Sequence, residues 1–71
     1  MDRDSVDSSM ISSIGYDQSI GTVEVEFRPS GQVWQYFDVP EFTYNDVRSA
    51  ESLGRAFNAM IKKQFSEARV G

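Results

Sequence analysis

The chain has 71 residues, a net charge of −4, no cysteine and no histidine. This length suits one small domain, and the composition excludes disulfides, thiolate chemistry and the side chain best suited to proton transfer near neutral pH. No apolar run approaches the roughly 20 residues that span a membrane, and no signal-peptide core is present. We therefore expect a cytoplasmic protein without a metal site or another cofactor.

The N-terminal half predicts three strands after a tail. Met1–Ser9 is polar and acidic and shows no hydrophobic periodicity, which predicts a disordered tail. A short strand is predicted over Ser12–Tyr16. Thr22–Arg28 alternates apolar and charged residues, as half-buried strands do. A third strand is predicted over Gln32–Phe37.

The C-terminal half predicts two helices. Pro40 suits the first turn of a helix over Glu41–Ser49, and Ser52 suits the N-cap of a second helix that runs to about Phe65. The second helix has one apolar stripe with spacings of three and four residues, which we expect to enter the core: Leu53, Ala56, Phe57, Met60, Ile61 and Phe65. The predicted class is α+β. A three-stranded antiparallel β-meander is followed by two α-helices packed on one face (β-β-β-α-α), in a single domain over residues 10–71.

The turn between the second and third predicted strands decides which way the aromatic residues face. If Pro29-Ser30-Gly31 is a three-residue loop, Trp34 and Tyr36 lie on the outer face of the sheet, beside Glu24 and Glu26. A two- or four-residue loop reverses the third strand, so that Trp34 and Tyr36 join the core and the intervening residues face outward. The Pro-x-Gly spacing favours the three-residue loop.

Charge is distributed unevenly along the chain. Residues 1–47 hold nine acids and two cations, whereas residues 48–71 hold five cations and two acids. The exposed side of the second helix is consequently either a basic surface that attracts an anionic partner or an ordinary solvated helix surface.

Four segments together resemble the KTSC domain, a family named for its occurrence at the C-terminus of some lysyl-tRNA synthetases. They are residues 12–17, 23–27, 34–40 and 52–58, and the resemblance covers roughly Ser12–Phe65. The family also occurs as free-standing small proteins in bacteria and phages. Its hallmark is a Tyr-x-Tyr followed by an aromatic residue and Val-Pro, and here Trp34 replaces the first tyrosine. The synthetase context implies RNA binding as an expectation.

Two classes of function follow from these features. The first is a non-enzymatic module that binds a protein or small ligand through the outer sheet face: Trp34, Tyr36, Glu24, Glu26 and Arg28. Two aromatics beside two carboxylates favour a cationic ligand, and exposed aromatics also favour a homodimer.

The second class is an RNA-binding module. Trp34 and Tyr36 would stack bases, while cations of the second helix would hold the phosphates: Arg55, Lys62 and Lys63. A third interpretation is that another part of the chain covers both aromatics, which are then merely packed. Enzyme function is disfavoured, because the chain shows no nucleophile with a base, no metal cluster and no phosphate-binding glycine loop.

Overall fold

A computed structural model of the chain describes all residues from 1 to 71. Five strands form one antiparallel sheet whose spatial order follows the sequence: β1 (Asp4–Ser5), β2 (Ile11–Asp17), β3 (Thr22–Phe27), β4 (Val33–Tyr36) and β5 (Glu67–Arg69). The helices α1 (Glu41–Ser49) and α2 (Leu53–Met60) connect β4 to β5. The predicted α+β class with an antiparallel sheet and two helices is confirmed. The prediction of three strands is wrong, because a short strand is added at each edge.

The N-terminal segment, which the sequence predicts to be a disordered tail, contributes β1 in this structure. Asp4 pairs with Ile14 of β2, and its carboxylate lies 3.0 Å from the Arg48 guanidinium of α1. Arg3 forms a second ion pair with Glu24 of β3. Both partners lie far away in sequence, so the local composition of the segment could not predict these contacts.

The register of β3 and β4 is the alternative that the Pro-x-Gly spacing disfavoured. Val25 lies opposite Trp34, and Val23 lies opposite Tyr36. The connecting loop has four residues, since the Phe27 amide donates to the Gln32 carbonyl at 2.9 Å. The favoured three-residue loop was therefore wrong. Trp34 and Tyr36 share the helix-covered face with the core valines.

Helix α1 begins and ends where the sequence predicts. Helix α2 has its predicted N-cap, because the Ser52 hydroxyl accepts from the Arg55 amide at 3.4 Å, but it ends at Met60 rather than near Phe65. Lys63 adopts a left-handed conformation with φ of 67°, which ends the helical path. The chain then turns back towards β4 and forms β5.

The hydrophobic core lies between the helices and one face of the sheet. Phe57 and Ile61 are fully buried, and the rest of the predicted α2 stripe packs partly buried around them. Sheet and α1 residues complete the buried set: Ile11, Ile14, Val23, Val25, Tyr36, Val39 and Val47. Neither helix is long and apolar enough to cross a membrane.

Candidate ligand-binding pocket

The observed register directs Trp34 and Tyr36 towards a pocket on the helix-covered side of the sheet. The pocket has a volume of about 350 Å³ and is lined by residues of β3, β4, β5, the connecting loops and the turn after α2: Met10, Phe27, Arg28, Gln32, Trp34, Tyr36, Lys62 and Glu67. The sequence predicts four of these as site residues: Trp34 and Tyr36 for either a ligand or RNA, Arg28 for a ligand and Lys62 for RNA. The structure brings all four together.

The base of the pocket is a rigid aromatic cluster. Tyr36 is only 1% exposed, and its ring packs edge-on against Phe57 with centroids 5.2 Å apart. Phe27 makes a similar edge contact with Phe57 at 5.7 Å. Because Phe57 holds both rings through the core, the base of the pocket is largely preformed.

The Trp34 indole forms a partly exposed wall. Its Nε1–H donates to the side-chain oxygen of Gln32 at 3.1 Å, which fixes the ring orientation on β4. Trp34 remains half-buried, in contrast to Tyr36. One flat apolar surface is therefore available to an occupant of the pocket.

Charged side chains surround this aromatic base. Arg28 follows β3 and donates through Nε to the Ile11 carbonyl at 3.4 Å. Its two terminal nitrogens make no hydrogen bond within the chain. Lys62 follows α2, and Glu67 begins β5 opposite Tyr36. Neither cation lies within ion-pairing distance of Glu67 or of another carboxylate.

The Tyr36 hydroxyl stays protonated in this environment. Burial raises the pKa of Tyr36 far above its ordinary value of 10, and the neighbouring Glu67 carboxylate raises it further. The phenol also forms a hydrogen bond with Glu67. A phenol in this state is a poor source of an anionic nucleophile.

The two predicted glutamates lie on the opposite face of the sheet. Glu24 receives hydrogen bonds from Arg3 and from Gln35 Nε2, the latter at 2.8 Å. Glu26 accepts from the Ser13 hydroxyl at 3.2 Å. The predicted outer site, with aromatics beside two carboxylates, does not form, because the four-residue loop puts Trp34 and Tyr36 on the other side of β4.

Two of the cations predicted for RNA binding also lie away from the pocket base. Arg55, near the start of α2, lines a separate groove that includes Ser8 and Glu51. Lys63 lies beside Asn58 and Lys62 on the outer side of the turn after α2. Lys62 alone joins the aromatic residues.

Sequence reasoning missed four of the lining residues as site residues: Met10, Phe27, Gln32 and Glu67. Phe27 belongs to the apolar side of the strand predicted over Thr22–Arg28, and alternation indicates a buried side chain without indicating that it lines a pocket. Glu67 follows the predicted second helix, and its position opposite Tyr36 depends on the left-handed turn at Lys63. No group of three or more acidic residues that could hold a metal ion is present.

Together, the fold and the pocket define a small α+β domain in which a five-stranded meander carries two helices and an aromatic pocket on one face. The chain belongs to the KTSC domain family, whose model matches residues 7–65. The predicted resemblance is thereby confirmed.

Relatives and a solved structure agree with this assignment. The chain is 41% identical over 64 residues to an uncharacterized protein of Stutzerimonas stutzeri, with 90% of this chain and 89% of that protein covered. It is 39% identical over 59 residues to a lysine–tRNA ligase of Nostoc punctiforme, covering 83% of this chain but 10% of the ligase. The crystal structure of a KTSC domain protein from Yersinia pestis matches with a TM-score of 0.93 and 41% identity, covering 99% of this chain and 97% of that one. The chain thus spans about a tenth of the ligase but nearly the whole of the other two.

Proposed function

We propose that this chain is a non-enzymatic binding module whose site is the pocket around Trp34 and Tyr36. Its occupant is a small ligand or a single side chain of a protein partner. The observation that carries the proposal is the convergence on one preformed pocket of four side chains from three segments: Arg28 after β3, Trp34 and Tyr36 on β4, and Lys62 after α2. A volume of about 350 Å³ lies within the range of sites that bind small molecules.

The mixture of groups in the pocket supports binding rather than catalysis. Its apolar base is surrounded by a few polar groups, which is the usual composition of a ligand site. Tyr36 is held protonated, and the chain has neither histidine nor cysteine to act as a partner base or nucleophile. These features favour recognition of a ligand by shape and charge.

The position of the glutamates changes the expected charge of the ligand. A cationic ligand was expected because Glu24 and Glu26 were placed beside the aromatics. Both now lie on the opposite face, and the charged groups of the pocket are Arg28, Lys62 and Glu67. The same finding removes the basis for a homodimer through an outer aromatic face.

RNA binding remains a second candidate, because Lys62 lies in the same pocket as Trp34 and is followed directly by Lys63. Its support is weaker. The Tyr36 ring is 1% exposed and cannot offer a face for stacking, so Trp34 alone could stack a base. Arg55 lines a different groove and could not hold the same nucleotide.

The proposal is tested by amide-resolved NMR of the ¹⁵N-labelled chain with a library of small ring-containing fragments. We expect shift changes that cluster on Arg28, Gln32, Trp34 and Lys62. Trp34→Leu should abolish them, whereas Gln35→Ala, on the opposite face of the same strand, should leave them intact. Fragments that bind elsewhere or nowhere would contradict the proposal. Saturable binding of single-stranded RNA that falls steeply with salt would favour the second candidate.

A further inference from the structure

We infer that the ligand of this pocket is a flat aromatic monocarboxylate, an inference that rests on the proposed function and specifies its ligand class. The ring would lie along Trp34 above the aromatic base, and the carboxylate would lie between Arg28 and Lys62. A polar N–H or O–H of the ligand would face Glu67. The carboxylate belongs either to a free small molecule or to a peptide that ends in an aromatic residue.

The first argument is that the two cations of the pocket have no carboxylate partner. The chain forms two ion pairs, Arg3 with Glu24 and Arg48 with Asp4, and both lie outside the pocket. Arg28, Lys62 and Glu67 line one cavity without forming a salt bridge among themselves. The terminal nitrogens of Arg28 and the ammonium group of Lys62 therefore remain available to an incoming anion.

The second argument is the balance of these charges. Two cations and one carboxylate leave the pocket with a net charge of +1, which complements a monoanion. A guanidinium group binds a carboxylate well because its N–H groups match the two oxygens. Glu67 disfavours a dianion such as a phosphate monoester, and it can accept a hydrogen bond from a neutral donor on the ligand.

The third argument is shape. Tyr36 and Phe27 are fixed edge-on to Phe57, and the indole of Trp34 is held by Gln32. Fixed rings favour a flat partner. A planar ligand can lay its ring along Trp34 while its carboxylate reaches Arg28 and Lys62.

Four probes with the same ring separate charge from shape. They are indole-3-acetate (monoanion), indole-3-acetamide (neutral), tryptamine (cation) and 3-indolyl phosphate (largely dianionic near neutral pH). Affinities are measured by NMR titration of the full chain. We expect indole-3-acetate to bind about fivefold more tightly than the amide, as two partly exposed ionic contacts allow. Tryptamine and the phosphate should both bind more weakly than the acetate.

Charge variants test the assigned contacts. Arg28→Gln and Lys62→Gln should each weaken indole-3-acetate by about twofold and leave the amide unchanged, because each removes one of the two exposed ionic contacts. Arg55→Gln is the matched control, since it removes a cation of α2 outside the pocket. A preserved amide spectrum shows that each variant is folded.

A Gly-Gly-Trp peptide with a free C-terminus distinguishes the two sources of the carboxylate. If the peptide binds more tightly than indole-3-acetate, the source is a peptide; if it binds more weakly, the source is a small molecule. Either order supports the inference.

Three results would overturn the inference. If the amide or the phosphate binds as tightly as the acetate at the same residues, the pocket is a binding site but its ligand is not a monocarboxylate. If no probe shifts the amide resonances of the pocket residues, both the inference and the proposed function fail. If single-stranded RNA binds in a Lys62-dependent manner while no carboxylate does, the site serves nucleic acid.

Discussion

Substitution of Gly15 tests how the N-terminal segment is attached to the domain. Gly15 lies in β2 on the outer face of the sheet, opposite Glu24. A Cβ added there would press against the backbone carbonyl oxygen of Asp2 and lie 3.2 Å from the Arg3 Cα. Gly15→Ala therefore requires the segment Asp2–Arg3 to move away from the sheet.

The expected cost follows from the contacts of Arg3. Its Nη1 lies 2.5 Å from Glu24 Oε2, and its Nε donates to the Ser13 hydroxyl at 2.9 Å. Both bonds are donated by the charged guanidinium, and a hydrogen bond that involves a charged group contributes about 1.5–3 kcal/mol. Arg3 is 25% exposed, and Glu24 regains water when the segment leaves. Solvent exposure and the regained hydration lower the sum of the two bonds to about 2 kcal/mol.

Alanine also restricts the unfolded chain, which by itself stabilises the fold by about 0.4–1 kcal/mol. The net expectation for Gly15→Ala is a loss of about 1 kcal/mol, or about 4–8 °C in Tm for a domain of this size. In a chain shortened to begin at Asp4, the obstructing backbone is absent. There the same substitution should raise Tm by a few degrees.

The assay is thermal and urea unfolding of four chains, full-length and shortened, each with Gly15 or alanine. The opposite signs in the two backgrounds are the decisive result. If alanine stabilises the full-length chain as much as the shortened one, then the segment does not lie over Gly15. Arg3→Gln provides a milder check, since it removes the ion pair with Glu24 and keeps the backbone in place.

Three further results are expected. Phe57→Ala should lower the free energy of unfolding by about 3–5 kcal/mol in urea because it removes the buried ring that supports the pocket, whereas exposed Asn58→Ala should stay within about 0.5 kcal/mol. Burial raises the pKa of Glu24, but hydrogen bonds from its neighbours outweigh that effect and hold the pKa below its usual value. Stability from this carboxylate is therefore present above its unfolded pKa and lost as pH falls through the folded pKa, and Glu24→Gln should flatten the acid limb of a plot of unfolding free energy against pH. The raised pKa of Tyr36 arises from burial and then from Glu67. Glu67→Gln should lower the pH at which the Tyr36 ¹³C resonance begins to shift in an alkaline NMR titration, and an unchanged onset would show that the two groups do not interact.

The candidate site shows where sequence reasoning succeeded and where it failed. Trp34, Tyr36, Arg28 and Lys62 were selected because aromatic and cationic side chains are recognition groups, and the structure brings them to one pocket. Their surroundings could not be predicted. In β4 both alternating sets of residues contain apolar side chains, so the hydrophobic pattern fits either face and the loop length alone decides.

The sequence by itself determined the elements whose signals are local. Alternation in Thr22–Phe27 specifies a strand, although Thr22 and Glu24 on its polar side are also buried. Pro40 and Ser52 mark the starts of two helices, and the apolar stripe of α2 specifies its buried side. Each signal depends on residues a few positions apart, which a single sequence displays directly.

Tertiary structure alone decided the edges of the sheet and the membership of the pocket. β1 is joined to the domain by ion pairs of Arg3 and Asp4 with residues 21 and 44 positions away. β5 reaches β4 because the chain reverses at Lys63, which places Glu67 beside Tyr36. These contacts are non-local, and their energy depends on how distant side chains are positioned by the folded core. The physical reason is that periodicity records which side of an element is buried, but not which distant residue lies against it.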